Sequence, residues 1–165
     1  MISEALQAKA QKIKLLVTDI DGVWTDAKIY YTEHGESLKA FSYYDGMATA
    51  LLTKANIRTA IITGEDSKPV ARRAEKLKIE DVFLGVHDKL EVFESLLEKY
   101  QLTPAEVAYI GDDLNDYTVM QVAGLTAAPS NTPAFHILRP DILLSCAGGD
   151  GAFREFADLI IASQQ

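Results

Sequence analysis

Apolar residues along the chain fall into two alternating kinds of run. Short stretches nearly continuous in Val, Ile and Leu recur at IKLLVTDI, RTAIITG, DVFLG and VAYIGDD, with weaker examples at GLTAAPS and DILLS. A strand with one solvated face alternates apolar with polar residues. These do not, so they read as strands buried on both faces of a sheet. Between them, residues at helical spacing run from Gly46 to Ala55, Lys68 to Leu77, Lys89 to Tyr100 and Asn115 to Val122. Strands alternating with helices predict right-handed crossovers and a doubly wound parallel sheet of the α/β class. Ligands of such sheets bind beyond the carboxyl ends of the strands, so each strand's last residues are where chemistry is expected.

One segment breaks the rhythm. Residues 27–43, AKIYYTEHGESLKAFSY, hold two apolar runs separated by the turn-forming Glu33-His34-Gly35-Glu36, which predicts a β-hairpin inserted after the first strand. No second insertion is long enough to form a lid. With 165 residues, 48% of them hydrophobic, a single domain over residues 1–165 is expected. The formal charge of −8 repels polyanions, which argues against nucleic acid or an acidic membrane as partner. An anionic substrate would need a local cluster of positive charge. The lone cysteine, Cys146, permits no intramolecular disulfide, the first residues lack the apolar stretch of a secretory signal, and no apolar run is long enough to span a bilayer. A cytoplasmic protein is expected.

The first strand runs into Asp19-Ile20-Asp21-Gly22. Two carboxylates two residues apart point to the same side if strand geometry persists. One can attack phosphorus to give an aspartyl phosphate while the other, protonated, donates to the leaving alcohol and later deprotonates water. The second strand ends in Thr63-Gly64, a hydroxyl and backbone N–H groups suited to phosphate oxygens. Lys89 follows the third strand and could neutralise phosphoryl charge. The fourth ends in Gly111-Asp112-Asp113-Leu114-Asn115-Asp116, where crowded carboxylates would repel one another unless a cation were present. Magnesium suits such oxygen ligands, with Asp112 its direct ligand and Asp113 and Asp116 orienting it or the lysine. Asp116 could equally cap the helix that follows.

Taken in order, DIDGVWT, IITG, Lys89 and GDDLND resemble the four motifs of the haloacid dehalogenase superfamily. More narrowly, the chain resembles its capless 3-deoxy-D-manno-octulosonate 8-phosphate phosphatase branch, through the DIDGVWTD start, the hairpin, Tyr44-Asp45-Gly46-Met47, Arg72-Arg73 and the ending AGGDGAFRE. The resemblance implies a Rossmann-like fold without a cap domain, with Asp19 as nucleophile and Asp21 as acid/base. It implies magnesium held by Asp19, the Asp21 carbonyl and Asp112, a phosphoryl group held by Thr63 and Lys89, and substrate contacts from Asp45, Gly46 and Arg73. It also implies a homotetramer in which hairpins gather around a central axis and a neighbour helps close each site. Where octulosonate phosphatases usually carry arginine after I-T-G, this chain has Glu65. Together with Lys76, this resembles relatives acting on 2-keto-3-deoxynononate 9-phosphate, so a sugar acid phosphate of nine carbons is the expected substrate and the eight-carbon one the alternative. A receiver-like phosphoacceptor domain is the non-enzymatic alternative, and Asp21 argues against it because it suits rapid turnover of an acyl phosphate.

Overall fold

The computed structural model describes residues 3–165. A short helix α1 (Glu4–Ala10) leads into β1 (Leu15–Thr18), and the hairpin strands β2 (Tyr30–Thr32) and β3 (Gly35–Leu38) follow. Then come α2 (Tyr43–Lys54), β4 (Arg58–Ile62), α3 (Lys68–Leu77), β5 (Asp81–Phe83), α4 (Lys89–Tyr100) and β6 (Val107–Ile110). After a 3-10 turn at Leu114–Asp116 the chain forms α5 (Tyr117–Met120), β7 (Leu125–Ala128), α6 (Phe135–Leu138), β8 (Ile142–Leu143) and α7 (Ala152–Ser163).

Six strands form one sheet in the order β5-β4-β1-β6-β7-β8, every pairing parallel. Every residue of β1, β6 and β7 is buried, as continuous apolar runs require. Alternate residues serve opposite faces. Leu16, Ile61, Ala108 and Ile110 pack with α2 and α7 through Leu52, Phe153, Phe156 and Ile160. Leu15, Val17, Ala60, Ile62 and Tyr109 pack with Phe93 and Leu96 of α4 and Val119 of α5. From β1 the chain builds outward through β4 and β5, then returns to β6 on the other flank. The strand order reverses there, so a crevice opens beyond the carboxyl end of β1.

Two elements differ from expectation. The hairpin turn is confined to residues 33 and 34, because Thr32 already pairs with Gly35 and Tyr31 with Glu36. In place of one helix from Asn115 to Val122 there is a 3-10 turn followed by a single turn of α-helix. Side-chain bonds inside the acidic loop, described below, compete with helical backbone bonding there. Among the described residues, no helix is long and apolar enough to cross a membrane.

Candidate active site

Asp19 sits one residue beyond β1, and its N–H donates to the Ile110 carbonyl at 3.0 Å, extending the pairing with β6. Just behind it, the buried Trp24 donates from Nε1 to Thr18 Oγ1 at 3.0 Å, and the Thr18 hydroxyl donates to the Asp19 carbonyl at 2.6 Å. Trp24 stacks on Phe153 with ring centroids 4.6 Å apart, so the nucleophile's backbone is braced from the core. Gly22 has φ +90, and a Cβ there would stand 1.9 Å from Asp112 Oδ2. Only glycine lets the first and fourth strand ends approach this closely. The C-terminal AGGDG segment supports the same loop from outside: Gly149 N–H donates to the Val23 carbonyl at 3.0 Å, and Gly148 lies directly against the Gly22 carbonyl.

Lys89 is the first residue of α4, whose N-terminus Asp88 caps by accepting from the Leu90 and Glu91 N–H groups. Side chains of a helix lean toward its N-terminus, so the first residue reaches past the helix end into the crevice. There the buried ammonium lies 3.0 Å from Asp19 Oδ1 and 2.7 Å from Asp116 Oδ1. Asp116 is saturated. Its Oδ1 also accepts from the Tyr109 hydroxyl at 2.6 Å, and its Oδ2 from the N–H groups of Asp112 at 2.9 Å and Asp113 at 3.3 Å. It therefore orients the lysine and closes its own loop at once, while Asp113 is exposed and accepts from Leu114 N–H.

Carboxylate oxygens of Asp19, Asp112 and Asp116 lie within 4.8 Å of one another, and all three residues are buried. Burial first, and then the Asp116 carboxylate, push Asp19 up to about 7 against the opposing pull of Lys89. Asp112 is pushed up to about 8 by burial and by the Asp19, Asp116 and Asp113 carboxylates. Burial works against the charge of Lys89, yet the Asp19 and Asp116 carboxylates outweigh it and raise the lysine above its ordinary value. One lysine does not balance three carboxylates, and since Asp116 is already spent on four donors, the fit for a divalent cation is at Asp19 and Asp112.

Asp19, Asp21, Thr63, Glu65, Asp112 and Asp113 line a cleft of about 390 Å³. Thr63 closes β4, with its hydroxyl buried at the strand end, whereas Glu65 is exposed on the cleft wall. The remaining sequence candidates do not line this cleft. Asp45 is fully buried and turned toward the C-terminal helix, where it accepts from Arg154 N–H at 2.9 Å. Gly151, which precedes α7, has no side chain to cap it, and Asp45 supplies the cap from α2. Arg73 lies over Gly46 and donates to the Ser42 carbonyl at 3.2 Å, and Lys76 is exposed on α3.

Two cleft neighbours were not singled out in the sequence. Lys39, just beyond β3, has a fully buried side chain, and its ammonium pairs with Asp21 Oδ1 and with Glu36 Oε2, the latter at 3.1 Å. Glu36 in turn accepts from the Ser67 hydroxyl. In sequence both lie among charged hairpin residues that read as solvated, and no spacing marks them. Lys39 and Lys89 are the only buried lysines among the described residues, and each is held between two carboxylates.

A family model described as haloacid dehalogenase-like hydrolase matches residues 30–124. The chain is 42% identical over 163 residues to the 3-deoxy-D-manno-octulosonate 8-phosphate phosphatase KdsC of Escherichia coli (strain B / BL21-DE3), covering 99% of this chain and 87% of that protein. The crystal structure of the phosphatase of that name from Yersinia pestis superposes with a TM-score of 0.95 at 39% identity, over 99% of this chain and 88% of that one. The Moraxella catarrhalis enzyme, solved in complex with magnesium, phosphate and a KDO molecule, superposes with a TM-score of 0.93 at 36% identity, over 99% and 94%. With whole-chain likeness at this level and a buried Asp–Lys–Asp constellation on the expected strand ends, the chain belongs to the haloacid dehalogenase-like hydrolases, as a phosphatase of phosphoric monoesters.

Proposed function

We propose that the chain is a magnesium-dependent phosphatase acting on 3-deoxy-D-manno-octulosonate 8-phosphate through an aspartyl phosphate on Asp19. The observation that carries this reading is the contact of Asp19 with the Lys89 ammonium at 3.0 Å beside Asp112, on the floor of an open cleft. Asp19 attacks phosphorus, and Lys89, already neutralised on its far side by Asp116, stabilises charge on the nucleophile and the phosphoryl oxygens. Asp21 protonates the departing sugar oxygen and then takes a proton from the water that hydrolyses the acyl phosphate. The Thr63 hydroxyl and the N–H groups after it hold phosphoryl oxygens. Asp19, the Asp21 carbonyl and Asp112 would hold the magnesium ion, which when bound neutralises and orients the phosphoryl group.

The eight-carbon substrate follows the names of the relatives. The nine-carbon expectation rested on Glu65 and Lys76, of which only Glu65 lines the cleft. A homotetramer is part of the proposal, supported by the apolar side chains that the hairpin region leaves exposed at Ile29, Tyr30, Tyr31, Leu38, Tyr43 and Tyr44. The test is phosphate release by purified protein from the two sugar acid phosphates, with magnesium and with chelator. Release that needs magnesium and has the larger kcat/KM on the octulosonate ester is expected. A preference for the nononate ester would return the substrate assignment to nine carbons, and metal-independent release would overturn the magnesium site.

A further inference from the structure

We propose that Thr132 is a positioning residue for the divalent cation. Its hydroxyl holds the backbone of Asp112 while Asn131 beside it holds the segment packed on Gly22, so that one turn straps together the two loops carrying the metal ligands. The proposal rests on the reading of Asp19, the Asp21 carbonyl and Asp112 as the metal site. The last backbone bond from β1 to β6 runs from Asp19 N–H to the Ile110 carbonyl, and the last from β6 to β7 runs from Gly111 N–H to the Ala127 carbonyl. Asp112 lies beyond both. Its N–H is held from within its own loop by Asp116 Oδ2, whereas its carbonyl accepts from the Thr132 hydroxyl, on the turn between β7 and α6. Asn131 Oδ1 accepts from the Gly148 N–H at 3.0 Å. A Cβ on Gly148 would stand 1.8 Å from the Gly22 carbonyl oxygen, so this segment lies flat against the first loop. Two consecutive side chains therefore reach the fourth strand end directly and the first through the AGGDG segment.

The turn does not need these side chains in order to form. Thr132 N–H donates to the Pro129 carbonyl at 3.1 Å and Ser130 N–H to the Cys146 carbonyl at 3.0 Å, so the backbone closes it unaided. What the side chains fix is the spacing of the two loops. That spacing is under load, because the Asp19, Asp112 and Asp116 carboxylates lie within 4.8 Å of one another and repel. Magnesium demands near-octahedral oxygen ligands at about 2.0–2.1 Å. Loops that relax apart must be drawn together when the ion binds, and that work is subtracted from its affinity. Thr132 acts on the ion only through the Asp112 backbone.

The test is cation binding by metal-free protein without substrate, read from the electron paramagnetic resonance signal of free Mn2+, which shares magnesium's preference for octahedral oxygen ligands. Thr132→Val keeps the branched shape and removes the donor, Thr132→Ser keeps the hydroxyl, and Asp112→Asn marks binding that is lost with a ligand. Losing a partner one shell removed from a metal typically weakens binding by about 10–100-fold. Thr132→Val is expected to raise the Mn2+ Kd about 10-fold, and the magnesium concentration at half-maximal phosphate release by the same factor. At saturating magnesium its kcat and KM should stay within about 3-fold of wild type, and Thr132→Ser should bind Mn2+ as wild type does. A Thr132→Val Kd within about 3-fold of wild type, or Thr132→Ser binding as weakly as Thr132→Val, overturns the proposal. If Thr132→Val fails to fold, Asn131→Ala at its exposed position decides. A Kd raised by more than about 3-fold supports the strap, and an unchanged one overturns it. Wild type that binds no Mn2+, or Asp112→Asn that binds it undiminished, overturns the metal site and this proposal together. Wild type that binds Mn2+ but releases no phosphate overturns the phosphatase reading alone, since the Kd comparison needs no substrate.

Discussion

Replacing Asp116 by Asn changes one atom, and the structure says which contact fails. The carboxylate accepts two donors on each oxygen: Lys89 and the Tyr109 hydroxyl on Oδ1, the Asp112 and Asp113 N–H groups on Oδ2. An asparagine has one accepting oxygen. Aimed at the two backbone amides, it keeps the loop closed and turns its NH2 toward Tyr109, whose hydroxyl can rotate to accept, and toward Lys89, which cannot. The ammonium, with its side chain 1% exposed, is then left with Asp19 alone. Breaking a buried ion pair costs about 3–5 kcal/mol, and the surviving Asp19 partner places Asp116→Asn at the low end, about 3 kcal/mol. Urea unfolding followed by the fluorescence of the buried, single Trp24 should show a midpoint lowered by about 1–3 M, given urea slopes of roughly 1–3 kcal/mol/M. Phosphate release should fall by about 10²-fold, because Lys89 closes onto the nucleophile that it should share with phosphate. A midpoint within about 0.3 M of wild type would refute the account of Asp116 as the lysine's obligatory second partner.

Asp19→Asn should abolish phosphate release; a substantial residual rate would sink the acyl-phosphate route. Gly22→Ala forces a side chain into φ +90 and onto Asp112 Oδ2, so it should cost roughly 1–2 kcal/mol of stability and at least about 10-fold in kcat. A wild-type kcat would show that Asp112 need not stand against Gly22. Asp45 is pushed from 3.8 up to about 6, chiefly by burial, so the folded state binds its proton more tightly than the unfolded one. Its contribution to stability is complete below pH 3.8 and is lost as pH rises through 6, a swing on the order of 3 kcal/mol. Asp45→Asn keeps an acceptor for the α7 cap without that loss, so its stability relative to wild type should rise between pH 4 and pH 7 in parallel urea titrations. Parallel pH profiles for the two proteins would contradict the burial argument.

The sheet was legible because a strand buried on both faces has no choice of composition: Leu15, Leu16 and Val17 are apolar on both sides. The strand ends were legible for a chemical reason, since Asp19, Thr63, Lys89 and Asp112 have little structural cause to stand next to such runs. What could not be read depends on long-range partners. Glu36 and Lys39 look solvated until the hairpin folds back and buries them against Asp21 and Ser67. The resemblance implies a substrate contact for Asp45, but no spacing in the sequence shows that its carboxylate caps α7, more than a hundred residues later. Likewise Asn115 to Val122 has helical spacing, yet the bonds of Asp113 and Asp116 to nearby N–H groups turn its start into a 3-10 turn.

The position of β1 bears on when activity can appear as the chain is made. The strand that presents Asp19 leaves the ribosome early, but its two flanking strands, Arg58–Ile62 and Val107–Ile110, arrive much later, and the second brings Asp112 and Asp116 with it. At synthesis rates of about 5–20 residues per second, Leu15 to Val17 wait seconds without a partner on one edge. A nascent chain in that interval carries an apolar strand with one open side, a surface suited to chaperone capture or to mispairing with another copy. Catalysis is thereby tied to completion of the sheet: no folding intermediate lacking β6 holds the Lys89–Asp116 pair, and recovery of phosphate release after denaturation times the docking of that strand.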